Sequence, residues 1–142
     1  MAGQLDPIQL MRKIAELESK IDALRTIEIG GMWKDWTLMI LSTVGTITSY
    51  TATSRYTVIG ETLFITGIIS IINNGTGSGE LYCGLPFMVE NLTPFYGREN
   101  DVTGNMLQGR TAGNILYLYK YDNSYPGING HKLLFGGMAK IA

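Results

Sequence analysis

The chain has 142 residues, 45% of them hydrophobic, and a formal net charge of −1. That length accommodates one domain with a single core and a short appendage, and near-neutral charge lacks the basic face of a dedicated nucleic-acid binder. A lone cysteine, Cys83, excludes an intrachain disulfide framework and a cysteine-cluster zinc site.

Residues 1–36 carry about half of the charged side chains in about a quarter of the length, so a boundary falls between Glu28 and Trp36, with Gly30-Gly31 as punctuation. The expected units are a helical segment over 1–31 and a β domain over 32–142. Asp6-Pro7 provides an N-cap followed by proline at the first helical position. Beyond it, Ile14 and Ile21 occupy heptad position a, and Leu10, Leu17 and Leu24 occupy d. Spacings that alternate between three and four residues give the repeat that drives left-handed supercoiling. Positions b, c and f hold Arg12, Ala15, Glu16, Ser19, Asp22 and Ala23, so the apolar seam is narrow. A helix docked on its own domain shows a wider apolar face; self-pairing in parallel is therefore expected. Lys13 at g and Glu18 at e then face each other between chains, a pattern similar to the Arg-h-x-x-h-Glu signature of short trimeric coiled coils, with Lys in place of Arg. Ile at a with Leu at d leans by itself to dimers, so the helix leaves the oligomer number open.

From Trp36 the pattern turns to period two. Candidate strands are 36–41, 45–51, 55–59, 61–72, 80–84, 102–108, 114–121 and 132–139. Gly60, "NNGTGSG" at 73–79 and "NSYPGING" at 123–130 supply turns. The expected class is mainly β: an N-terminal helix, forming a coiled coil, followed by an antiparallel β-sandwich or jelly roll. No apolar run reaches the roughly 18–20 residues of a transmembrane helix, and the N-terminus lacks the order of a signal peptide, so no membrane insertion is expected.

"GMWKDWT" at 31–37, "YTVIGETLFITGIISI" at 56–71, the Gly-rich hairpin after it and Leu85-Pro86 resemble a recurring module of bacteriophage virion proteins. Residues 32–142 are similar to the trimeric, tumour-necrosis-factor-like jelly roll at the tips of phage fibres and spikes, with the coiled coil as stalk. The resemblance implies a homotrimer located in the virion, without enzymatic activity or cofactor. Its N-terminal segment would dock on other virion proteins, and its head would meet a host-surface glycan or protein through loops 73–79, 91–101 and 123–130. A capsid decoration protein is the alternative. A surface-glycan hydrolase is a second one.

Single residues add little chemistry. His131 is the only histidine, and Cys83 lies in an apolar strand as a small hydrophobe. Glu80, Glu90, Glu99 and Asp101 show no paired-acid spacing. "GTGSGE" lacks the Lys-Ser/Thr and following helix of a phosphate loop and reads as a mobile hairpin tip. "REND" at 98–101 lacks the alternating acids of a calcium loop. No catalytic or metal residue is therefore assigned. In "ILYLYKY", Ile115, Tyr117, Tyr119 and Tyr121 are expected on one strand face, with Leu116, Leu118 and Lys120 on the other. The tyrosines read as a subunit interface or as a platform for a sugar.

Overall fold

The computed structural model describes residues 3–4, 6–28 and 32–142, the side chains of 24–28 excepted. It contains two compact units, Met1–Met32 and Trp33–Ala142. Gly30-Gly31, the expected punctuation, lie outside the described residues.

In the first unit, helix α1 spans Pro7–Glu28. Its start is set by a reciprocal cap: the Gln9 N–H donates to Asp6 Oδ1 at 2.8 Å, and the Asp6 N–H donates to Gln9 Oε1 at 3.3 Å. Proline at the first position loses no bond, because that N–H has no helical acceptor. Lys20 reaches back to Glu16 at 2.8 Å, an i,i+4 pair on the polar side.

The second unit is antiparallel β throughout. Its strands are β1 (Lys34–Asp35), β2 (Ile40–Val44), β3 (Ser49–Ile59), β4 (Thr62–Asn73), β5 (Ser78–Gly84), β6 (Pro94–Glu99), β7 (Met106–Ala112), β8 (Ile115–Lys120) and β9 (Lys132–Lys140). They form one sheet in the order β1-β3-β4-β9-β6-β7-β8-β5-β2. The sheet curls so that its inner face encloses one core, as in a β-sandwich. Near the two ends of the order, the Ile40 N–H of β2 donates to the Tyr50 hydroxyl of β3 at 3.1 Å. Alternation supplies the core: Leu63, Ile65, Ile69 and Ile71 from β4, Leu116 and Leu118 from β8, and Leu133 and Phe135 from β9 point inwards. Each such Leu or Ile contributes about 1.5–3 kcal/mol by leaving water. Between Ile65 and Ile69, Gly67 makes room for the Phe135 ring, whose tip lies 2.3 Å from where a Cβ would sit.

The structure differs from the expected strands in instructive places. Residues 49–51 and segment 55–59 belong to a single strand, β3, since Ala52, Thr53 and Ser54 contain neither Gly nor Pro and the period-two burial runs through them, while 45–48 form the connection before it. Segment 36–41 is mostly connection between β1 and β2. Trp36 packs edge-on to Tyr56 at 6.1 Å and donates to the Gly84 carbonyl at 3.3 Å, inside the β unit.

Residues 91–101, expected as a loop, contain β6, a central strand between β9 and β7. Its inward residues are Phe95, Gly97 and Glu99, so the hydrophobic alternation that marks a half-buried strand is missing. The strand expected at 102–108 is β7 at 106–112, because 101–104 wrap the Glu99 carboxylate.

The loops 45–48, 74–77, 100–105 and 121–131 lie at one end of the sheet. The Gly-rich tip is tied down: Asn74 Nδ2 donates to the Gly77 carbonyl, Asn74 Oδ1 accepts from the Tyr125 hydroxyl, and the Asn74 N–H donates to Asn129 Oδ1, each at 2.7 Å.

Candidate functional site

On the helix, the seam residues Leu10, Ile14, Leu17 and Ile21 are all exposed, Ile14 by 47% and Leu17 by 58%. The Leu24 backbone continues the helix, and its side chain lies outside the described residues. Ile8 and Met11, off this seam, are exposed as well.

On the β unit, a polar cluster stands on the outer face of β5, β8 and β7. Register puts it together: Tyr82 of β5 lies opposite Tyr117 of β8, which lies opposite Arg110 of β7. Tyr119 lies opposite Gln108. The Tyr119 hydroxyl donates to Glu80 Oε1 at 2.5 Å, and Arg110 meets the same oxygen at 3.4 Å. The Arg110 guanidinium covers the Tyr117 ring at 4.5 Å, while Tyr82 and Tyr117 pack at 5.8 Å. Desolvation first, and then the bond to Glu80, push the Tyr119 phenol up, so it stays a donor to the carboxylate. Glu80, Gln108, Gly109, Arg110, Tyr119 and Asn123 line an open pocket of about 380 Å³.

Of the three tyrosines, Tyr117 and Tyr119 share the outer face as alternation requires, backed by the fully buried Leu116 and Leu118. Tyr121 lies beyond β8 in the following turn and is exposed, so it is not part of the strand face. Glu80, Gln108 and Arg110 belong to the cluster but carry no sequence signal; only the β5–β8–β7 register joins them.

"REND" spends its oxygens internally. Glu99, only 2% exposed, accepts from the N–H groups of Asp101, Val102, Thr103 and Gly104 and from the Thr103 hydroxyl. Burial pushes the carboxyl up, but the bonds from Thr103, Asp101 and Val102 outweigh it and hold the group well below the usual range. Asp101 pairs with Lys132 at 2.9 Å. Among the described residues, no group of three His, Cys, Asp or Glu is arranged to hold a metal ion.

Cys83 is buried, and desolvation pushes its thiol up to about 12. A protonated, enclosed thiol is a poor nucleophile. Native protein should therefore leave Cys83 unmodified by a disulfide reagent at neutral pH, with one thiol appearing in denaturant; rapid native labelling would contradict this burial. His131 is also buried, and its Nδ1 has no hydrogen-bond partner among the described residues.

No family model, curated protein or solved structure matches this chain. Among the described residues, no helix is long and apolar enough to cross a membrane.

Proposed function

We propose that this protein is a non-enzymatic structural component of a bacteriophage virion, a homotrimeric appendage whose helices align the chains and whose β heads meet the host surface. The observation that carries the reading is the exposed a/d seam of a well-capped helix placed in sequence before a separate β unit. Such a seam gains by pairing with identical helices, and the resemblance of the head to trimeric fibre tips supplies the number three. Fewer than three full heptads are marginal alone, so contacts between heads share in assembly.

Sedimentation of the full chain at micromolar concentration should give three times the 15.6 kDa chain mass. The double substitution Ile14→Asp with Ile21→Asp places charges at both a positions and should yield monomer with an unchanged β circular-dichroism spectrum. Monomeric wild type, or a trimer indifferent to both aspartates, would sink the stalk reading. Adhesion separates the two virion roles: an appendage binds host cells, whereas a decoration protein binds naked particles.

A further inference from the structure

We propose that the pocket beside Glu80 and Arg110 binds a neutral polyhydroxylated ring, that is, a saccharide; this rests on reading the β unit as an adhesive head. Each polar side chain there has one group spent on holding the pocket and another left open. Glu80 Oε1 takes the bonds from Tyr119 and Arg110, while Oε2 has no hydrogen-bond partner among the described residues. Gln108 Nε2 donates to the carbonyls of Lys120 and Tyr121 and to Asn123 Oδ1 at 2.8 Å. That network fixes both amides and leaves Gln108 Oε1 as an acceptor and Asn123 Nδ2 as a donor. Arg110, which meets Glu80 and Tyr119 and covers Tyr117, carries five N–H groups and so keeps donors beyond these contacts.

The open set is thus mixed, with two acceptors alongside two sources of donors. A hydroxyl, which both donates and accepts, satisfies either kind. Charge points the same way. Glu80 and Arg110 offset each other, so an anion would face the open Glu80 oxygen and a cation the guanidinium. The Tyr119 ring supplies a wall for the C–H face of a sugar, while the face of Tyr117 is already occupied by Arg110. About 380 Å³ lies in the range of small-molecule sites and suits one or two sugar rings. Because β5, β7 and β8 are paired strands, the groups are held in place before the ligand arrives.

The test is a titration of the full-length protein, followed by amide NMR, with galactose, N-acetylglucosamine and maltose. N-acetylneuraminic acid serves as the acidic comparison and glucosamine as the cationic one. At least one neutral sugar should give saturable shifts at Gln108, Arg110 and Asn123. Glu80→Gln and Asn123→Gly should each weaken that binding about tenfold; Asn123 is an exposed turn residue at φ 65°, a backbone conformation that glycine keeps without strain. Absence of saturable shifts for all three neutral sugars, preference for either charged sugar, or affinity unaffected by both substitutions would overturn the proposal. The Ile14→Asp/Ile21→Asp variant should retain sugar binding per chain, so failure of the pocket and failure of the trimer are read separately.

Discussion

Glu99→Ala is expected to lower the stability of the β unit by about 3 kcal/mol or more, read as a reduced urea midpoint. The carboxylate accepts from four consecutive N–H groups and one hydroxyl at the end of β6, and it is almost fully buried. Removing it leaves those donors to find new partners and releases the 100–105 connection. Glu99→Gln should recover little, because its NH₂ group would face N–H donors. The same site predicts an acid dependence. The folded-state carboxyl titrates well below its ordinary value of 4.5. Its contribution is therefore fully present above that pH and is lost progressively as pH falls below it. Asp101, lowered by its bond to Lys132, acts in the same direction, so in Glu99→Gln the acid slope should shrink without vanishing. An identical slope in variant and wild type would refute the assignment.

Gly97→Ala is the second large effect, expected at about 2–3 kcal/mol. A Cβ at Gly97 would lie 2.0 Å from the Leu134 carbonyl oxygen and 2.9 Å from Phe135 Cα. Both are backbone atoms of β9, which cannot retreat without opening the β6–β9 ladder. Gly84→Ala is the control: its Cβ would meet nothing within 4 Å, and it should fold like wild type. Equal melting temperatures for the two variants would contradict the close approach of β6 and β9.

These two residues also mark where the sequence stops being readable. The capped start of α1, the alternation of β4, and the inward Leu116 and Leu118 follow from local pattern, because each side chain there does what its type predicts. β6 does the opposite. Only Phe95 and Tyr96 read locally as strand: a glycine sits where two backbones nearly touch and a charged residue points inwards, so the apolar alternation of a central strand is broken. Glu99 is intelligible only once the chain after it has folded back. The Glu80–Arg110 cluster is hidden for another reason. Its members come from three strands whose neighbour relations depend on the order of the whole sheet. Tyr119 was visible as an aromatic on an alternating strand, whereas its partner Glu80 was one dispersed acid among several.

The two-residue pairing of β1 has a mechanical consequence. A pull on the chain ahead of the β unit would be felt first at β1. The first resistance it meets is the short Lys34–Tyr56 and Asp35–Arg55 ladder, braced by the exposed Asp35–Arg55 ion pair. Loaded from one end, such a ladder unzips bond by bond at low force. Behind it stands a firmer stop. Trp36 exchanges bonds with Ser54, N–H to carbonyl at 3.2 Å and carbonyl from hydroxyl at 2.6 Å, and its ring is wedged against Tyr56. A pull applied at Lys34 would thus release the two β1 residues before the Trp36–Ser54 bonds and β3 bear the load.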